Sequence, residues 1–181
     1  MSKYVSILSE DGHVVDIDHV YDAMINIDPI HHLIHEGKFF GTYMQDISVA
    51  NDGKLEMYII VGSSPMHVRV TGVTGGFGTL EMFEGSTASS NGTPLVLTNR
   101  NRLSSNTADG TVYSEPTVTG DGTAIYKTLI IGGSGPKSTG GISAGGYEEY
   151  IFNPGEAYLV RITNLAGNNQ PLSLELNFYE V

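Results

Sequence analysis

The sequence predicts an all-β fold, a two-sheet jelly-roll-like sandwich preceded by an N-terminal extended or short-helical arm, and three observations carry that prediction. Apolar and polar residues alternate over short runs, most clearly Leu172, Leu174, Leu176 and Phe178 against Ser173, Glu175, Asn177 and Tyr179; such a strand has one buried and one wetter face. Glycine is frequent, 23 of 181 residues, and gathers with Ser, Thr and Asn between those runs, the punctuation of many strands and turns. Residues 1–37 lack this rhythm: acids are dense, Val20, Met24 and Ile27 fit helical spacing only loosely, and Pro29 interrupts any long helix. The expected division is therefore an arm over 1–37 and a β-sandwich domain over 38–181.

Within the arm, "DPIHHLIHEGKFF" at 28–40 reads as a short helix, with Asp28 as N-cap, Pro29 at the first helical position and Gly37 just past the end. At about 100° per residue, His31, His32 and His35 share one sector while Ile30, Leu33 and Ile34 lie opposite. About two helical turns are marginal alone in water. The arm thus needs a surface to dock on, its own sandwich or a neighbouring subunit.

Ten strands are expected beyond it: Lys38–Met44, Lys54–Val61, His67–Val73, Thr79–Glu84, Pro94–Thr98, Val112–Val118, Ala124–Ile131, Tyr147–Phe152, Tyr158–Asn164 and Leu172–Glu180. Tight-turn signals stand at "NDGK" (51–54), "TGDGT" (119–123) and "NPGE" (153–156), and two longer glycine- and serine-rich loops at 85–93 and 132–146. Strands so punctuated fit two packed sheets, since an up-and-down barrel calls for more uniform short hairpins. No repeat at a fixed period is present.

Composition narrows the function. A chain of 181 residues buries roughly two thirds of its unfolded surface and folds without metal or disulfide. Cysteine is absent, which removes thiolate catalysis, thiolate-ligated zinc and iron–sulfur clusters. The net charge of −11 and pI near 4.7 oppose binding to a phosphate backbone, which Lys and Arg drive by displacing counterions. The charge is uneven: residues 1–60 carry ten acids and three bases (net −7), residues 61–181 ten and six (net −4). An acidic front end suits a basic partner surface as well as plain solvation. "MSKYVSILSEDGHVV" turns polar too early for a secretory signal, and no apolar run is long enough to span a bilayer.

The histidines raise the question of zinc. His31 and His35, four apart on one helical face, can share a metal, with Glu36 or His67 as a third ligand. The order is wrong for the catalytic H-E-x-x-H pattern, because "HHLIHEG" sets Glu36 after the last histidine. The expectation is no metal; instead Ile30, Leu33 and Ile34 bury while His31, His32 and His35 hydrogen-bond across a subunit contact, with a pH-responsive contact as the lesser alternative.

Catalytic signals are weak throughout. No G-x-S-x-G elbow occurs. Glu148 and Glu149, adjacent on an expected strand, point to opposite faces and do not flank one bond. "GGSGPKSTGG" at 132–141 has Pro136 where a phosphate loop needs glycine, and no helical pattern follows. Carbohydrate binding remains open: the chain has no Trp but ten Tyr, and Tyr147 with Tyr150 could form a stacking platform.

One combination stands out: "IDPIHHLIHEGKFF", "VANDGKLEMYIIV", "HVRV", "TLEMFEGSTASSNGTPLVLTNRNR", "YSEPTVTGDGTAIYKTLIIGG" and "NPGEAYLVRITNLAGNNQPLSLELNFYE". From about residue 13 onward the chain resembles the capsid decoration (head cement or auxiliary) proteins of tailed bacteriophages. The resemblance implies a jelly-roll-like sandwich on the outer capsid surface, made in the host cytoplasm and clustered as homotrimers, with terminal segments or loops gripping the major capsid protein. It implies no enzyme activity and no cofactor, and the charge and the short apolar runs add the expectation of no direct contact with nucleic acid or membrane. A phage tail, fibre or baseplate sandwich that binds a host-surface carbohydrate is the alternative.

Overall fold

A computed structural model of the chain describes residues 29–131 and 148–181 with their side chains, and the backbone of Ile17–Asp18, Ala23–Met24 and Ile142–Gly145. The chain divides into two compact units, Met1–His32 and Leu33–Val181. In the first, β1 (Ile17–Asp18) and β2 (Ala23–Met24) pair antiparallel. The helix α1 (Pro29–His35) spans the division.

The second unit holds β3 (Phe39–Val49), β4 (Lys54–Ile60), β5 (Met66–Thr74), β6 (Gly78–Glu84), β7 (Thr87–Ser90), β8 (Thr93–Pro94), β9 (Thr98–Asn99), β10 (Thr111–Ser114), β11 (Thr117–Gly120), β12 (Thr123–Ile130), β13 (Ile142–Gly145), β14 (Tyr150–Phe152), β15 (Ala157–Asn164) and β16 (Gln170–Glu180). One sheet runs β13-β5-β16-β3-β9, with β14 also on β5; the other runs β12-β6-β15-β4-β10-β8. Taking β13 and β14 as two pieces of one strand, eight strands follow the order of a jelly roll, switching sheet at every step except from β6 to β12: β3, β16, β5 and β13/β14 in one, β4, β15, β6 and β12 in the other. Every pairing is antiparallel. The segment between β6 and β12 is an insertion; it lends β9 to one sheet, β8 and β10 to the other, and a separate ribbon of β7 with β11.

The core lies between the two sheets because the alternation is right. Leu172, Leu174, Leu176 and Phe178 of β16 are buried and meet Leu55, Met57 and Ile59 of β4, Met66, Val68 and Val70 of β5, and Val160 and Ile162 of β15. Each such side chain contributes on the order of 2 kcal/mol. A second, smaller cluster of Tyr58, Phe83 and Leu159 lies on the far face of the β4–β15–β6 sheet, covered by Ala88 and Val118 of the β7–β11 ribbon.

Beside that cluster, Lys127, Glu81, Arg161 and Glu56 stand in register across β12, β6, β15 and β4, a row of alternating charge. Lys127 Nζ meets Glu81 Oε1 at 2.6 Å and Arg161 Nε meets Glu56 Oε1 at 2.7 Å.

Several strands differ from expectation for local reasons. The single strand expected over Val112–Val118 is two, β10 and β11, because Glu115 adopts φ 54° and Pro116 has no N–H to give a ladder. Pro94–Thr98 is not one strand: only Thr93–Pro94 and Thr98–Asn99 pair, at the margins of different sheets. The loops expected at 85–93 and 132–146 contain β7 and β13; their small polar residues hid strands that pair through backbone. Glu148 and Glu149 precede β14 rather than lying in a strand, and Tyr147 falls outside the described residues. "NDGK" does turn, with Asp52 at φ 61°, but carries the chain from one sheet to the other.

Candidate functional site

The expected helix is present over Pro29–His35 and its faces divide as its spacing requires, while the N-cap expected at Asp28 lies outside the described residues. Ile30, Leu33 and Ile34 are half-buried, whereas His31, His32 and His35 are exposed. Its end is a full Schellman motif: Gly37 N–H donates to Ile34 O and Lys38 N–H to Leu33 O, both at 3.0 Å. Gly37 sits at φ 69°, and a Cβ there would run into the side chain of Ser104. Glycine is therefore required twice over, by conformation and by space.

The next carbonyls, which no helical N–H reaches, are taken by three asparagines of the insertion. Asn101 Nδ2 donates to His35 O at 2.9 Å, Asn106 Nδ2 to Glu36 O at 3.1 Å, and Asn99 Nδ2 to Gly37 O at 2.8 Å. The loop holds its own shape: Asn101 N–H donates to Asn99 Oδ1, Leu103 N–H to Asn101 Oδ1 and Asn106 N–H to Ser104 Oγ. The result is a clamp that fixes the direction of the chain from Leu33 to Lys38. Leu103, at 99% exposure, is the apolar tip of the same loop.

Sequence reasoning did not find this clamp. Its only signal was asparagine density at 99–106, and the partners lie more than sixty residues away along the chain.

On the outer face of the β5–β16 pair, Glu149 gathers three partners. Tyr179 OH donates to its Oε1 at 2.7 Å, His67 Nδ1 lies 3.1 Å from Oε1, and Arg69 Nη2 lies 3.0 Å from Oε2. The His67 ring stacks on Tyr179 with centroids 4.4 Å apart, and Phe39 stacks on its other side at 6.2 Å. Burial raises the Glu149 carboxyl, but the hydrogen bonds from Tyr179 and His67 and the charge of Arg69 outweigh it, so its net shift is downward. Burial and the Glu149 carboxylate together push the Tyr179 hydroxyl up to about 12.

His67, a conceivable third zinc ligand in the sequence, is thus engaged with Glu149 and Tyr179. Among the described residues, no group of three or more His, Asp or Glu side chains is disposed to hold a metal ion. Tyr150 is not an open platform: it is half-buried, edge-on to Tyr126 at 6.1 Å, and its hydroxyl donates to Glu148. Among the described residues no helix is long and apolar enough to cross a membrane.

The fold and this junction define a class: an antiparallel jelly roll whose inter-strand insertion clamps the end of an N-terminal helix. No model of a known protein family matches the chain, and no curated protein matches it.

Proposed function

We propose that the chain is a non-enzymatic structural protein of a tailed-bacteriophage virion, decorating and stabilising the capsid exterior through multivalent contacts with the major capsid protein, and assembling as a homotrimer. The observation that carries this reading is the junction itself: a helix with a half-buried apolar side and an exposed histidine side, clamped at its C-terminal end by Asn99, Asn101 and Asn106. A helix end held in this way offers a neighbour one defined contact. It also lowers the ordering cost of binding there. Repeated over a lattice, individually weak contacts add through effective concentration. The resemblance of the sequence to capsid decoration proteins points the same way.

In this reading His31, His32 and His35 hydrogen-bond across the seam while Ile30, Leu33 and Ile34 bury. Replacing the three histidines by alanine is expected to reduce co-sedimentation of the purified protein with undecorated capsids. Unchanged co-sedimentation would remove these residues from the contact.

A second reading, a tail, fibre or baseplate sandwich touching a host-surface carbohydrate, is favoured by one observation: Tyr43, on the outer face of a sheet, is 68% exposed. The two readings differ in copy number per particle.

A further inference from the structure

We propose that the outer face of the β9–β3–β16 sheet carries a binding site for a neutral saccharide, built from Tyr43, Arg100 and Glu175. The proposal deepens the second of the two readings above, and the binding test below is separate from the copy number that decides between those readings. A cleft of about 370 Å³ opens there, lined by Gly41, Tyr43, Thr98, Arg100, Ser173 and Glu175 among others. That volume lies at the lower end of the range for small-ligand clefts, roughly 300–1,000 Å³, and suits one or two sugar rings.

Strand register assembles the floor. Gly41 stands opposite Asn177, Tyr43 opposite Glu175 and Gln45 opposite Ser173 on β3 and β16, while Thr98 of β9 stands opposite Gly41. Because Gly41 has no side chain, the Arg100 guanidinium lies across its Cα; a Cβ there would stand 3.0 Å from Nη2 and 2.8 Å from Asn177 Oδ1. Arg100 Nη2 donates to Asn177 Oδ1 and, at 3.3 Å, to Glu175 Oε1, and Asn177 Nδ2 donates to the same Oε1 at 2.9 Å. The Arg100 backbone N–H is itself held by Phe39 O at 2.8 Å. The polar groups are therefore arranged before any ligand arrives.

What they offer matches a sugar. Among the described residues the bonds of the Glu175 carboxylate use only Oε1, leaving Oε2 to accept, and the fixed guanidinium keeps further N–H groups to donate. Neighbouring sugar hydroxyls each donate and accept, so a carboxylate and a guanidinium side by side can engage an adjacent pair. Tyr43 supplies the flat apolar surface on which the C–H face of a pyranose packs, with a polar edge at its hydroxyl. Charge selects within the class: Arg100 and Glu175 offset each other locally, and the chain carries −11 overall, which repels acidic saccharides.

The test is saturation-transfer NMR on the full chain with a panel of neutral and sialylated oligosaccharides, repeated with Tyr43→Ala and Glu175→Gln. Ile151→Ala, on an exposed side chain of β14, serves as control. The expected result is a neutral saccharide that binds the wild type and the control alike and loses about tenfold or more in affinity in both site variants, with the thermal transition of Tyr43→Ala unchanged. Should Glu175→Gln fail to fold, Tyr43→Ala alone decides. No binding across the panel, binding confined to sialylated members, or equal binding by Tyr43→Ala would each overturn the proposal.

Discussion

Arg161 and Asp121 form a two-pronged pair: Nη1 meets Oδ2 at 2.8 Å and Nη2 meets Oδ1 at 2.6 Å. Through it, the turn between β11 and β12 is fastened to β15. The same guanidinium donates from Nε to Glu56 and lies 5.2 Å over the ring of Phe83. One side chain thus ties the insertion ribbon, a cross-strand carboxylate and an aromatic together. The Asp121 and Glu56 carboxylates hold the Arg161 guanidinium above its ordinary value, against an opposing effect of burial.

Removing that side chain leaves a buried carboxylate behind. Glu56 is only 8% exposed at its side chain and would keep Lys54 at 3.0 Å as its remaining partner. Arg161→Ala is expected to cost about 3 kcal/mol in urea denaturation, and Arg161→Lys to recover only part, because an ammonium cannot reproduce the fork. The pair also sets an acid limb. The hydrogen bond from Arg161 holds the Asp121 carboxyl below its usual range, with burial opposing and the charges of Arg161 and Lys54 assisting. A depressed carboxylate stabilises the fold above its unfolded pKa, about 3.9, and that stability is lost as pH falls through the lower folded value. Asp121→Asn should flatten the acid limb of stability against pH.

An alkaline limb follows from Tyr179. Its hydroxyl is raised to about 12 by burial first and then by the Glu149 carboxylate it donates to. A neutral form favoured in the folded state contributes stability that is complete below the unfolded value, about 10, and disappears as pH rises through about 12. Burial raises the Tyr58 and Tyr150 hydroxyls as well, so ultraviolet titration of the native protein is expected to show several late-ionising tyrosines, with the component that Tyr179→Phe removes belonging to this position. Glu149→Gln should shift it downward without returning it to the ordinary value, since burial remains.

The asparagine clamp predicts a local loss. Asn99 is buried and donates to both Gly37 O and Asn106 O. Asn99→Ala leaves those carbonyls without their donor and is expected to cost about 2 kcal/mol. Amide hydrogen exchange should locate the effect at Gly37, Lys38 and the 99–106 loop, while the β4, β15 and β16 amides keep their protection relative to the new global stability.

How much of this was legible beforehand depends on the range of the interaction concerned. β16 and β4 were readable because a strand's face is decided by its own alternation, and α1 because its Pro29 start, Gly37 end and apolar side lie within ten residues. The jelly-roll type followed from strand number and turn chemistry. The insertion was not readable as such: Glu115 at positive φ and the paired but polar Thr87–Ser90 look like ordinary loop, and only the far face of the second sheet shows what they cover. The Tyr43–Arg100–Glu175 cleft depends on Gly41 being opposite Asn177, a matter of strand register over more than a hundred residues. Local pattern carries no information at that distance.

Counting copies tests the account most directly. Densitometry of purified virions, with the major capsid protein as the internal standard, is expected to give this chain in hundreds of copies per particle, in fixed proportion to the shell. A handful of copies, co-fractionating with detached tails, would contradict capsid decoration and leave the tail or fibre reading in its place.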